Sequence, residues 1–171
     1  MRVLVVVDMQ NDFIDGVLGT KEAVEIVDSV KAKINSYHKA GDVIIYTKDT
    51  HTDEYLQTQE GQKLPVKHCI KGTAGWEIAQ GLYLDGCQVI EKQSFGSLEL
   101  AELIAGMKGV SSIELVGLCT DICVISNAMI LKAKMPEIPI VVDASCCAGV
   151  TKDSHKTALD AMKVCQIEVI N

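Results

Sequence analysis

The 171-residue chain has no basic excess, no long apolar run and no paired C-x-x-C arrangement. Its formal net charge is −7, and no basic stripe of the kind that neutralises phosphates is present, so nucleic acid and anionic membranes are poor partners and a small molecule is the expected one. After Met1 and Arg2 only the apolar residues Val3 to Val7 precede Asp8. That is shorter than a signal-peptide core or a membrane span, and a cytoplasmic protein is expected. There the seven cysteines would stay reduced, and their spacing does not read as a zinc ribbon. The segment Asp8-Met9-Gln10-Asn11-Asp12 lacks the glycine-rich turn that lets a phosphate approach the backbone, which argues against nucleotide binding. With no internal repeat, linker or low-complexity tract, residues 1–171 read as one domain.

What is present is an alternation of short apolar runs with helical patterns. Strands are expected over Val3–Val7, Val43–Thr47, Gln88–Glu91, Ile113–Val116, Ile138–Val142 and Gln166–Ile170, most of them β-branched and continuous as strands buried on both faces are. The pattern predicts a three-layer, doubly wound α/β fold with a six-stranded, mainly parallel sheet and helices on both faces. The first helix carries Val24, Val27, Val30, Ile34 and Tyr37 at helical spacing and stops at Gly41. A second opens at Ser97, with Leu100, Leu103 and Ile104 toward the core. Thr120 or Asp121 is expected to cap a third, and Ala158, Met162 and Cys165 share the inner face of a last helix from about Asp153 to Val164. Cys146 and Cys147 are expected to pack beside a strand end. From Lys48 to about Gly75 the chain is polar and aperiodic, which marks a functional loop.

In open α/β sheets, ligands bind beyond the carboxyl ends of the strands. Asp8 follows the first strand, Asp49 and His51 the second, Lys92 the third and Cys123 the fourth, so all fall on one rim. A carboxylate that accepts a proton, an ammonium that holds charge in place and a thiol that attacks a carbonyl together suit acyl transfer to water. Cys123 would lie in a first helical turn, where unpaired N–H groups favour a thiolate. The backbone N–H groups of Cys119 and Cys123 would meet the developing oxyanion, an effect often worth about 3 kcal/mol per donor. Each residue also has a plainer reading. An unpaired cysteine is usually a small buried hydrophobe, and Asp8 with Lys92 could be an ion pair without catalysis; the joint placement separates the two readings. A second group, Asp49, His51 and His68, offers donors suited to zinc, iron or manganese, whereas His38 and His155 sit on helix faces with no assigned role.

With these residues in place, the chain resembles the isochorismatase-like cysteine hydrolases, and among them the nicotinamidase-related amidases. Val7-Asp8-Met9-Gln10-Asn11-Asp12-Phe13 is similar to the family's first motif, Thr47-Lys48-Asp49-Thr50-His51 to its metal-binding segment, and Pro65 to Thr73 to the segment with a further ligand. Lys92 matches the catalytic lysine, and Gly117 to Val124 the nucleophile motif, whose cis peptide bond would fall between Leu118 and Cys119. The resemblance implies a triad of Asp8, Lys92 and Cys123 that forms a thioester with an amide, releases ammonia and yields the acid. It also implies one divalent metal ion, zinc first, with iron or manganese as alternatives, held near the substrate and coordinating its ring nitrogen. A homo-oligomer is implied as well. Two departures concern the substrate. A histidine ligand common between the positions of His51 and His68 is missing, with Glu60 the best substitute and Glu54 the fallback. Pro65 stands where many relatives carry a tryptophan, leaving Phe13 and Phe95 as aromatic walls.

The leading expectation is therefore an amidase for nicotinamide or a related small carboxamide. One alternative is a cysteine hydrolase for another small amide or carbamoyl compound without a catalytic metal. The other, from a different class, is a non-catalytic binding or redox protein in which Cys119 and Cys123 form a thiol pair one helical turn apart.

Overall fold

The computed structural model describes residues 1–171. Its strands are β1 (Arg2–Val7), β2 (Val43–Asp49), β3 (Gln88–Lys92), β4 (Ser112–Leu118), β5 (Ile140–Ala148) and β6 (Glu168–Ile170). The helices are α1 (Asn11–Ile14), α2 (Lys21–Glu25), α3 (Val27–Ala40), α4 (Gln59–Lys63), α5 (Leu98–Ala105), α6 (Ile125–Lys134) and α7 (Lys152–Val164). All strand pairs are parallel, in the order β3-β2-β1-β4-β5-β6. The order therefore reverses between β1 and β4, which sets the cleft for a ligand at their carboxyl ends.

Alternation along the central strands builds two cores. Val3, Val5 and Val7 of β1 join Ile113 and Leu115 of β4 beneath α5, α6 and α7, while Leu4 and Val6 join Val116 and Leu118 beneath α2 and α3. Val3 to Val7 have no exposed surface, as a β-branched strand covered on both faces requires. Gly117 has φ 117° and stands opposite Val7; a Cβ there would run into the Val7 carbonyl, so only glycine lets β4 pair closely with β1 at the edge of the cleft.

All six expected strands are present, with one large extension. β5 runs on to Ala148, because Asp143 to Cys146 form a bulge between the pairs Leu115 with Val142 and Gly117 with Cys147. Cys146 and Cys147 thus lie buried within a strand instead of beside its end. The first helix is broken at Ile26 into α2 and α3, leaving Val24 half exposed, and α3 ends on Gly41 in the left-handed conformation. Ser97 caps α5 by accepting from the Leu100 N–H. Neither Thr120 nor Asp121 is a helix cap. Thr120–Val124 form a π-helical turn ahead of α6; the Thr120 hydroxyl bonds His155 and the Asp121 carboxylate accepts from the Val150 N–H. Cys165 is exposed, since α7 stops at Val164 and the chain turns away before β6. No helix is long and apolar enough to cross a membrane.

Candidate active site

β1 ends at Val7, and Asp8 leaves the strand in the left-handed region (φ 46°), which aspartate tolerates better than most residues. Its N–H donates to the carbonyl and hydroxyl of Thr47, and the Thr47 hydroxyl donates to Asp8 Oδ1 at 2.6 Å. Lys92 closes β3, with Nζ 2.6 Å from Asp8 Oδ2, 3.4 Å from Cys123 Sγ and 3.5 Å from Asp49 Oδ1; it also donates to the Ser94 carbonyl at 3.1 Å. The structure thus brings Asp8, Lys92 and Cys123 into one buried contact.

Burial dominates the electrostatics here. It pushes the Asp8 carboxyl above its usual range against the pull of Lys92. Burial, followed by the Asp8 charge, also pushes the Cys123 thiol well above its usual value, although Lys92 pulls the other way. A resting thiolate, expected from a position at the start of a helix, is therefore not favoured. Desolvation and the neighbouring carboxylate outweigh a helix end whose first turn is π-helical. Lys92 stays charged, because Asp8, Cys123 and Asp49 more than offset its own burial.

Beside this contact, four donors converge. Single ligand atoms from Asp49, His51, Glu60 and His68 all lie within 4.8 Å of one another. Two loop features bring them together. His51 pairs with the returning segment, its N–H donating to the Cys69 carbonyl and its carbonyl accepting from Lys71, which places His68 next to it. Thr58 caps α4 by accepting from the Gly61 N–H, and this turn carries Glu60 to within 3.8 Å of His51 Nε2 and 3.7 Å of His68 Nε2. His68 Nδ1 is bonded to the Val66 carbonyl at 2.8 Å, so Nε2 is the nitrogen it presents to the cluster. Glu54 lies outside the group and is exposed. Two imidazoles and two carboxylates, with one imidazole oriented by a backbone carbonyl, fit a divalent ion such as zinc, iron or manganese.

A cavity of about 580 Å³ opens onto both groups. Asp49, His51, Glu60, His68, Cys119 and Cys123 line its polar side, and Phe13 and Phe95 lie on its walls with Leu18, Leu64 and Ile122. Phe13 also stacks obliquely on His68, with ring centroids 5.5 Å apart. The peptide between Leu118 and Cys119 is cis. The Cys119 carbonyl accepts the N–H groups of Ile122 and Val124, which tightens the turn leading to Cys123.

Two buried amides escaped the sequence reading. Gln10 accepts from the Asp49 N–H at 2.7 Å and donates to the carbonyls of Asp49 and Trp76, clamping the end of β2. Asn127 bonds the Cys123 carbonyl, the Phe95 carbonyl and the Ser97 N–H. A lone amide that bonds backbone has no sequence pattern. The one signal was local: Gln10 belongs to the first motif, and Asn127 stands one helical turn beyond Cys123.

Fold and site together define a doubly wound α/β protein that holds a buried Asp-Lys-Cys cluster and a cluster of metal-suited donors beside one cavity, at the reversal of strand order. The Isochorismatase domain matches residues 2–171, and the chain belongs to that family. It is 26% identical to the nicotinamidase/pyrazinamidase of Mycobacterium tuberculosis, over 99% of this chain and 98% of the relative, and 25% identical to the nicotinamidase of Schizosaccharomyces pombe, over 98% and 92%. Among solved structures, the pyrazinamidase of Pyrococcus horikoshii in complex with zinc superposes with a TM-score of 0.89 at 25% identity, covering 99% of this chain and 98% of the other.

Proposed function

We propose that the chain is a cysteine-dependent amidohydrolase that converts nicotinamide, or a related small carboxamide, to the acid and ammonia through a thioester on Cys123. Family membership and the two nicotinamidase relatives make it a hydrolase acting on linear amides. The observation that carries the cysteine reading is the single buried contact in which Lys92 Nζ lies 2.6 Å from Asp8 and 3.4 Å from the Cys123 sulfur, with Cys123 lining a cavity of about 580 Å³.

The chemistry follows from these positions. As Cys123 Sγ attacks the carboxamide carbon, its proton passes to Asp8, whose raised affinity for a proton suits a base facing a neutral thiol. Lys92 holds that carboxylate in place and offsets negative charge on sulfur as the S–C bond forms. The N–H groups of Cys119 and Cys123 receive the oxyanion. Asp8 then returns the proton to the leaving nitrogen, the C–N bond breaks, and ammonia departs. Water, deprotonated by Asp8, attacks the thioester, releasing the acid and restoring the thiol. Asp49, His51, Glu60 and His68 would hold the divalent ion, zinc first, which when bound supplies a Lewis-acid contact for a ring nitrogen. Phe13 and Phe95 flank the ring.

The test is ammonia release from nicotinamide by the purified protein, with Cys123→Ala as the blank. Turnover that vanishes in the variant supports both nucleophile and substrate class. Turnover that survives removes Cys123 as nucleophile. An inactive wild type loaded with metal would remove nicotinamide as the substrate.

A further inference from the structure

The loop Gln93–Gly96, which joins β3 to α5 and carries the Phe95 wall, is fastened to the nucleophile turn through one side chain. Asn127 of α6 is fully buried and uses its whole amide. Nδ2 donates to the Cys123 carbonyl at 2.8 Å and to the Phe95 carbonyl at 3.2 Å, and Oδ1 accepts from the Ser97 N–H at 3.0 Å. Gly96 lies flat against the same helix, since a Cβ there would collide with Ile130 Cδ1. The loop's other anchor is the Ser94 carbonyl on Lys92 Nζ. Phe95 itself is 43% exposed, so packing alone does not hold it.

We infer that Asn127 is a positioning residue that sets the gap between the Phe95 wall and the Cys123 sulfur, and so determines which amides reach the nucleophile. The physical argument is geometric. The amide plane fixes its two N–H directions relative to each other, and both point at carbonyls of residues that line the cavity. A wall held this way discriminates ring width. Without the amide, the Phe95 carbonyl loses its donor and the half-exposed ring swings with the loop. The inference rests on Cys123 being the attacking atom, so its test is read at that atom and does not depend on turnover.

The experiment compares the rates at which iodoacetamide and its N-phenyl derivative alkylate Cys123, followed site by site by mass spectrometry so that Cys119 is scored separately. In each case the S–C bond forms, iodide leaves and the thiol proton passes to Asp8. The expected result is that Asn127→Ala changes the ratio of the two rates by about tenfold, a shift of the size that pocket shape confers on small ligands. A purely structural role would change both rates together and leave the ratio fixed. Asn127→Asp, which is the same size and keeps the acceptor for Ser97, gives the same reading if the alanine variant fails to fold. In a Phe95→Ala background the Asn127 substitution should shift the ratio no further, because the wall it positions is gone. An unchanged ratio in a folded Asn127 variant, or an equal shift with Phe95 removed, would overturn the inference. Neither result touches the proposed nucleophile, which fails separately if ammonia release survives Cys123→Ala.

Discussion

Two lysines are held between buried carboxylates in this molecule, and they differ in what lies beside them. Lys92 sits between Asp8 and Asp49 at the carboxyl edge of the sheet; Lys33 of α3 lies 2.5 Å from Glu114 of β4 and 2.8 Å from Asp143 of β5. Both groups pair one ammonium with two carboxylates, and both are largely shielded from water. Around Lys33 the partners are all inert: Tyr37 donates to Glu114, Ser145 and Asn171 donate to Asp143, and none of the three charged residues lines the cavity. Around Lys92 one partner is a thiol, and that thiol faces open space. Burial of an ion pair therefore does not separate the two groups; a thiol and a cavity beside one of them do.

The sharpest test of that contrast is Cys123→Ala. Loss of the attacking atom should lower ammonia release by about 10⁴-fold or more, as removal of a covalent nucleophile does elsewhere, while the fold survives because little core volume is lost. Steady-state assays with a thermal melt on the same sample check both halves. Retention of more than a few per cent of activity would make the Lys92 group as inert as the Lys33 group.

The donor cluster comes next. Removing His68, in His68→Ala, should reduce bound divalent metal from about one per chain and weaken metal affinity by about 100-fold, the upper end of what outer-shell partners alone contribute. Substrate binding should weaken before the chemical step does, so KM rises first. Asp49→Ala should behave alike. Elemental analysis of each purified variant decides, and an unchanged metal content would contradict the assignment of Asp49, His51, Glu60 and His68.

How much of this contrast is visible in the sequence depends on how far apart the partners lie. Asp8, Asp49 and Lys92 stand at or just beyond the ends of strands and Cys123 one turn beyond the fourth, so locating the strands locates the rim. Glu60 was reachable only as a substitute for a missing ligand, because the turn that carries it lies in an aperiodic loop whose single structural cue is Thr58 as a cap. The Lys33 group left no trace. Its members come from a helix and two strands, and Glu114 and Asp143 interrupt or end runs that otherwise read as ordinary strand. Asp143, together with Ser145, also hid the extension of β5, since a bulge breaks the alternation by which strands are recognised. The π-helical turn was equally hidden, because Thr120 and Asp121 look like caps until their side chains are seen bonding His155 and Val150.

If the Lys33 group is structural, Asp143→Ala should lower stability and leave kcat and KM unchanged. Removing a carboxylate leaves Lys33 with one partner; because that lysine is about a fifth exposed, the loss should be about 2 kcal/mol, below the range for a fully buried pair. Urea unfolding measures it. A comparable loss of activity without loss of stability would join the two groups functionally and dissolve the contrast.

The smallest effect concerns pH, and it has a definite sign. Burial alone would raise the Asp143 carboxyl, but bonds from Lys33, Ser145 and Asn171 hold it below its ordinary value of 3.8. A carboxyl lowered in the folded state contributes stability that is present above its unfolded value and lost as pH falls through its folded one. Lys33 is disfavoured by burial yet raised to about 12 by Asp143 and Glu114, so its contribution is complete below 10.5 and fades only as pH climbs through that raised value. Between about pH 5 and about pH 9 neither group changes its charge. The stability difference between wild type and Asp143→Ala should then be flat across that interval and shrink below about pH 4. Asp8 runs the other way: raised by burial, it stabilises the fold most when protonated and loses that contribution as pH rises through its folded value. A difference that instead grows on acidification from neutral pH would mean that Asp143 titrates as a raised carboxyl, like Asp8, and that the two groups are not the opposites their geometry makes them.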